Sequence, residues 1–188
     1  MTGLSAGFRD ALLYAAELHA SQLRKGSATP YFAHLMSVAA LVLENGGDQQ
    51  QAIAALLHDA VEDQGGLAAL EEIRARFGER VAHMVSELSD SHTEPKPAWL
   101  QRKTDYLNHL PDAGADVLLI SLADKLHNAR SILQDYALIG ERVWDRFHGG
   151  RDGVLWYYRS LSDFFLDRQP GWMAHELERI VRLLEKCS

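Results

Sequence analysis

The sequence predicts an all-α fold, a single helical bundle spanning residues 1–188, and three observations carry that prediction. Apolar residues recur at three- and four-residue spacing nearly throughout. No convincing period-two run, the mark of a half-buried strand, interrupts them. Glycines and prolines punctuate the periodic stretches, and no internal repeat, low-complexity tract or linker divides the chain into domains.

Residues 5–24 read as the first helix, with Leu12, Ala15, Ala16 and His19 along one face; Gly26-Ser27-Ala28-Thr29-Pro30 breaks it. Residues 31–44 form the second helix, closed by Asn45-Gly46-Gly47 as a glycine stop. Asp48 is a good N-cap for the third, whose centre is Ile53-Ala54-Ala55-Leu56-Leu57 and whose end falls near Gly65-Gly66. Two shorter helices, 67–77 and 79–88, flank Gly78. The stretch 89–97, with Pro95 and Pro97, is the least regular and the candidate mobile loop. A helix resumes over 99–110, where Pro111 ends it, and a long one covers 115–136, starting on Val117-Leu118-Leu119-Ile120. Gly140, Gly149-Gly150 and Gly153 punctuate the segments after it, and helices over 154–167 and 172–186 complete the bundle.

Composition narrows the function classes. Hydrophobic residues are 47% and charged residues 24%, the balance of a soluble globular chain long enough to bury a core. No apolar run is long enough to span a bilayer, and residues 1–5 lack the basic start and apolar stretch of a secretory signal. The single cysteine, Cys187, allows no internal disulfide, so the expected location is the cytoplasm. A formal net charge of −7 argues against a broad nucleic-acid-binding surface. A small phosphorylated ligand remains compatible with it, given a local basic pocket and a metal. Oligomeric state is left open.

The sharpest chemical feature is His58-Asp59-Ala60-Val61-Glu62-Asp63, directly after the apolar run that ends at Leu57. A charge buried without a partner costs several kcal/mol or is neutralised. On a helix, His58 and Glu62, and likewise Asp59 and Asp63, lie four apart and share an edge within one turn. A divalent cation would reconcile an imidazole with neighbouring carboxylates. For Glu62 and Asp63 alone, an acidic helix end in water explains the pattern equally well.

Two distant residues raise the weight of the His-Asp pair. His34 follows Pro30-Tyr31, and Asp124 lies inside Leu122-Ala123-Asp124-Lys125-Leu126-His127-Asn128, where an unpaired carboxylate would be expensive. Asn128 and Ser131 continue a polar stripe on the face of Asp124. Singly, His34 is more often a core or surface histidine than a ligand. The set of His34, His58, Asp59 and Asp124 predicts a metal site. Its mixed imidazole and carboxylate donors suit manganese, iron or zinc, with no thiolate to force tetrahedral zinc. The pattern lacks the extra histidines of a two-metal helical site, and His19, His83, His92, His109, His127, His148 and His175 remain unassigned, so one ion is expected.

Arg24-Lys25 suits a clamp for phosphate or a base carbonyl, and equally a helix C-terminal charge that needs no ligand. Lys96, Arg102 and Lys103 form a second basic group near the irregular stretch, or an ordinary solvated face. Tyr157-Tyr158, after Leu155-Trp156, suit stacking on a base with one hydroxyl reaching a phosphate. Aromatics at this density more often fill a core, and that is the reading for Trp156.

These residues together resemble a known family. His19-x-x-Gln22-x-Arg24-Lys25, Pro30-Tyr31-x-x-His34, Ala55-Leu56-Leu57-His58-Asp59-x-x-Glu62-Asp63, Phe77-Gly78 and Leu122-Ala123-Asp124-Lys125-Leu126-His127-Asn128 look like the HD-type hydrolase domain of the RelA/SpoT proteins. The length is most similar to the small stand-alone alarmone hydrolases, the metazoan SpoT-homologue type and its bacterial relatives. The resemblance runs from the first helix through the long one at 115–136, and HDxxED together with LADKLHN is specific.

The resemblance implies an HD-type metal-dependent phosphohydrolase over 1–188 that removes the 3′-pyrophosphate from ppGpp-like nucleotides with one manganese ion. It implies His34, His58, Asp59 and Asp124 as ligands, and Glu62 and Asp63 as the acidic pair that positions or activates the attacking, metal-held water. Arg24 and Lys25 match residues around the nucleobase and its phosphates, and Asn128 a contact near the ribose and pyrophosphate. The expected substrate-binding set is Arg24, Lys25, Lys103, Asn128, Ser131 and Tyr158. The chain departs from the family at Ser27-Ala28-Thr29, where a Gly-Glu-like pair is expected before Pro-Tyr, so guanine and adenine alarmones both stand. Other HD phosphohydrolases acting on monophosphates, dNTPs or NADPH share the metal set, although the Glu62-Asp63 extension favours alarmones. A non-catalytic alarmone-binding protein is the alternative of a different class.

Overall fold

The computed structural model describes residues 4–89 and 97–187. Most of the expected irregular stretch 89–97, with His92 and Lys96, lies outside the described residues. Among the described residues the fold is all-helical, with nine α-helices and no strand. They are α1 (Ala6–Leu18), α2 (Phe32–Glu44), α3 (Gln49–Leu57), α4 (Gly66–Phe77), α5 (Glu79–Leu88), α6 (Trp99–His109), α7 (Ala115–Ile139), α8 (Gly150–Arg168) and α9 (Trp172–Lys186). They fall into two compact units. The first contains α1–α5 and the start of α7 through Ser121; the second contains α6, α7 from Leu122, α8 and α9.

In the first unit α3 is the centre. Every residue from Gln51 to Leu57 is buried, and the helix lies against α1, α2 and α5. A helix apolar on all sides can be stable only when surrounded in this way. Its start is fixed by a capping box: the Asp48 carboxylate accepts from the Gln51 N–H at 2.9 Å, and the Gln51 side-chain carbonyl accepts from the Asp48 N–H at 2.7 Å. Arg80 of α5 donates to Asp48 at 2.6 Å and to Asp116, at the start of α7, at 2.7 Å. Burial pulls the Asp48 carboxyl upward, but hydrogen bonds from the Gln51 backbone and the Arg80 guanidinium outweigh it and hold the group below the usual carboxylate range.

Two of the boundaries that differ from the sequence expectation matter for the site. The helix expected over 5–24 stops at Leu18. Beyond it the chain folds back: the Arg24 N–H donates to the Thr29 carbonyl and the Tyr31 N–H to the Gln22 carbonyl, each at 2.8 Å. Leu23, which would have continued the apolar stripe, is 54% exposed, so extending the helix would bury little. Arg24-Lys25 is therefore not a helix C-terminus, and the macrodipole explanation of that pair falls away. The helix expected to run to Gly65-Gly66 ends at Leu57 and gives way to a π-helical turn, Val61–Gly65. The Gly66 N–H reaches back five residues to the Val61 carbonyl, and Gly66 holds φ at +56°, a left-handed value that favours glycine.

The second unit packs by ordinary amphipathic rules. Met173, Ala174, Leu177, Ile180, Val181 and Leu184 make one buried stripe on α9, against α8. On α8 the buried stripe is Val154, Tyr157, Tyr158, Leu161 and Phe165. Trp156 is off that stripe and 40% exposed, which corrects the expectation that it fills the core. α8 begins at Gly150, before the expected 154: Gly149, its N-cap, still marks a break, but Gly153 lies inside the helix, and both glycines admit the Trp99 indole. A Cβ on Gly149 would lie 2.6 Å from a carbon of the Trp99 indole, and one on Gly153 3.1 Å. Among the described residues no helix is long and apolar enough to cross a membrane.

Candidate metal centre

α2 and the end of α3 bring three donors together in the first unit. His34, in the first turn of α2, is 1% exposed, and His58, the residue that ends α3, is 3% exposed. With Asp59 they offer ligand atoms that all lie within 4.8 Å of one another. The Asp59 Oδ2 is 3.0 Å from His58 Nε2 and 3.6 Å from His34 Nε2. His58 Nδ1 is 2.8 Å from the Ala55 carbonyl, and a carbonyl only accepts, so Nδ1 carries the proton. The Nε2 then turns a lone pair toward the Asp59 carboxylate. Two acceptors face one another at hydrogen-bond distance, an arrangement that needs a second proton or a cation.

Tyr31 completes this set. Its hydroxyl donates to Asp59 Oδ2 at 2.5 Å, while its ring meets His34 edge-on at 5.4 Å and stacks on His19 at 5.5 Å. Arg24 places its guanidinium 5.6 Å from the Tyr31 ring centroid, so the fold-back after α1 carries a cation next to the donor set. Lys25 beside it is exposed.

Glu62 and Asp63 lie in the π-helical turn that comes after Asp59. Asp63 is tied by its backbone N–H to the Asp59 carbonyl at 2.9 Å and accepts from Gln22 Nε2 at 2.8 Å. Gln64, next along, donates to Gln22 Oε1 at 2.5 Å. Asp63 is thus part of a built network, where a merely solvated carboxylate at a helix end would show no such partners.

In the second unit, Asp124 sits on α7 at 5% exposure. Its Oδ1 accepts from Asn128 Nδ2 at 2.5 Å, and its Oδ2 is 2.7 Å from Lys125 Nζ. The Lys125 ammonium is itself buried, 4.7 Å from the Tyr106 ring centroid. These two donors account for how a carboxylate is tolerated in a buried helix. Ser131 donates back to the His127 carbonyl at 3.0 Å, Lys103 Nζ lies 5.0 Å from the Tyr157 ring centroid, and Tyr158 is buried edge-on to Tyr157 at 5.7 Å.

The sequence expectations miss Tyr31, Gln22, Gln64 and Lys125 as partners of the charged groups. Tyr31 and Gln22 belong to the quoted motifs, and that is the signal that could have found them. Gln64 carries no comparable signal.

Two buried imidazoles and a carboxylate with no thiolate form a group able to hold a metal ion. Inside an all-helical fold, they define a histidine–aspartate metal-site protein. The HD-domain description matches residues 11–155, and the chain belongs to the HD-domain family. It is 38% identical over 135 residues to the guanosine-3′,5′-bis(diphosphate) 3′-pyrophosphohydrolase MESH1 of Xenopus tropicalis, covering 70% of this chain and 73% of that one. It is 36% identical over 131 residues to MESH1 of Homo sapiens, covering 68% and 70% respectively. A solved structure of a metazoan ortholog of SpoT that hydrolyzes ppGpp superposes with a TM-score of 0.79 at 29% identity, over 97% of this chain and 98% of that one.

Proposed function

We propose that this chain is a metal-dependent 3′-pyrophosphohydrolase of alarmone nucleotides, the activity by which its MESH1 relatives are named. The observation that carries the reading is the placement of His34, His58 and Asp59 within 4.8 Å, one π-helical turn from Glu62 and Asp63. Asp124 is the fourth ligand, a role that rests on its place in the LADKLHN motif. The ion is manganese. A divalent cation held by these residues would lower the pKa of water and neutralise charge developing on the phosphoryl oxygens.

The rest of the work falls to the chain's own side chains. His58 is fixed in its Nδ1–H tautomer by the Ala55 carbonyl, which keeps Nε2 available as a donor atom. Tyr31 fixes Asp59. Glu62 and Asp63 accept the proton of the attacking water or orient it. Arg24, Lys25 and Lys103 hold phosphates, Asn128 and Ser131 meet the ribose and pyrophosphate, and Tyr158 adds a hydroxyl, so that positioning supplies much of the rate.

The test is a turnover screen of manganese-loaded protein against ppGpp, pppGpp, ppApp, NADPH and nucleoside monophosphates, with product analysis. Release of pyrophosphate from the 3′ position is the expected result, and the order of kcat/KM for ppGpp and ppApp assigns the base. Release of inorganic phosphate from monophosphates or NADPH alone would make it a different HD phosphohydrolase. Tight ppGpp binding without turnover would make it a binding protein.

A further inference from the structure

The fold-back between α1 and α2 holds more than the cation of Arg24. Gln22 makes four contacts there. Its side-chain Nε2 donates to Asp63 Oδ2 at 2.8 Å. Its side-chain Oε1 lies 2.6 Å from His19 Nδ1 and 2.5 Å from Gln64 Nε2. Its backbone carbonyl accepts from the N–H of Tyr31, whose hydroxyl donates to Asp59.

The direction of each bond is set by what its partners can do. A carboxylate only accepts, so the amide nitrogen of Gln22 must face Asp63. Its carbonyl oxygen then faces His19 and Gln64, and both of these must donate. His19 is therefore held as the Nδ1–H tautomer. His19 is 1% exposed, and its Nε2 has no hydrogen-bond partner among the described residues. Burying an imidazole with one nitrogen unsatisfied is costly, so a position that only filled space would favour an apolar side chain. A buried N–H donor aimed at the Gln22 carbonyl makes sense of the cost, because it stops the amide from flipping.

We infer that Gln22, locked by His19 and Gln64, is a positioning residue that aims the Asp63 carboxylate. This inference rests on the proposed hydrolase reading for its kinetic consequence, but the locked amide stands independently of which substrate is used. Asp63 is on the surface and lies on a π-helical turn, where a short acidic side chain has several rotamers open to it. One fixed donor on Oδ2 removes most of them and sets the plane of the carboxylate. The same residue's carbonyl anchors Tyr31, so a single position registers both the acidic residue and the Asp59 ligand against α1.

Gln22→Met keeps length and volume and removes all three side-chain amide contacts. With manganese-loaded protein and ppGpp, kcat should fall roughly 10- to 30-fold, the lower part of what one charge-assisted hydrogen bond contributes. KM should stay within about twofold and manganese affinity unchanged, because the backbone contact to Tyr31 is retained. An unchanged kcat, or a raised KM with kcat intact, overturns the inference; the second result would make Gln22 a substrate contact. The independent readout is the NMR signal of the Gln22 side-chain NH2 group in the metal-free protein. It should exchange slowly with solvent and shift on Asp63→Ala, and a signal insensitive to Asp63→Ala also overturns the inference. If the wild-type chain turns over no 3′-pyrophosphorylated nucleotide, the hydrolase reading fails, and the NMR result alone decides the fate of the lock.

Discussion

Replacing Tyr31 by phenylalanine removes one oxygen and leaves the ring, so it isolates the hydrogen bond to Asp59. The ring contacts with His34 and His19, at 5.4 and 5.5 Å, involve carbon faces and edges that phenylalanine retains. What is lost is a hydroxyl donor 2.5 Å from the Oδ2 of a proposed metal ligand. Hydrogen bonds to charged groups contribute about 1.5–3 kcal/mol. The Asp59 side chain is 19% exposed, so water can replace part of the lost donor and the lower end of that range applies. About 1.5 kcal/mol is roughly a tenfold change in an equilibrium constant. Tyr31→Phe should therefore weaken manganese binding about tenfold, through loss of the carboxylate's orientation. The assay is titration of the metal-free protein with manganese, with free ion read by electron paramagnetic resonance and heat by calorimetry. Thermal melts of the two metal-free proteins should agree within about 3 °C, which separates binding from stability. A manganese Kd within twofold of wild type would refute the reasoning, and with it the claim that Asp59 is held for a cation.

Four further outcomes are expected. The double variant Glu62→Gln with Asp63→Asn should keep its metal, as judged by the same titration, and lose turnover by about 100-fold or more. Asp124→Asn keeps a polar partner for Lys125 and Asn128, so it should melt close to wild type while its manganese affinity drops at least about tenfold. Gly149→Ala pushes a methyl to within 2.6 Å of the Trp99 ring and should cost about 1–3 kcal/mol of stability in denaturant unfolding. The Asp48 carboxyl titrates below its ordinary value of 3.8, so its contribution to stability is fully present above that pH and is lost as pH falls through the lower folded value. Arg80→Met should thus lower the melting temperature at pH 7, and the gap from wild type should narrow progressively in melts recorded from pH 3.8 down through the lower folded value.

The fold was legible wherever burial enforces a period. α2, α5 and α9 match their expected spans closely, because each sets one apolar stripe against a neighbour and ends on a glycine, serine or terminal cap. The expected spans fail where a polar network wins over the stripe. Residues 19–24 have helix-compatible spacing, yet their backbone pairs with residues 29–31 and turns Gln22 toward the acidic segment. The π-helical turn could not be read from spacing either, since i to i+4 and i to i+5 patterns differ too little over five residues. Gly153 lies inside α8 although the sequence reads it as a break, because a glycine that ends a helix and one that admits an indole look alike in a sequence.

The candidate site divides along a similar line. Its charged members announce themselves: a histidine and an aspartate after a run as apolar as Ile53–Leu57 violate the cost of burial, and only a partner or an ion resolves that. The residues that orient them are neutral, and they come from far away in the chain. Tyr31 reaches Asp59 across 28 positions, and Gln22 reaches Asp63 across 41. A tyrosine or glutamine at such a position breaks no hydrophobic period and carries no charge to be explained. It becomes visible only when the fold shows which donor faces which carboxylate. That asymmetry makes the neutral pair the more searching test of the site. Loss of a histidine would abolish binding under almost any scheme, whereas a tenfold effect at Tyr31 on metal affinity, and one at Gln22 on kcat alone, would occur only if each carboxylate is aimed as the geometry has it.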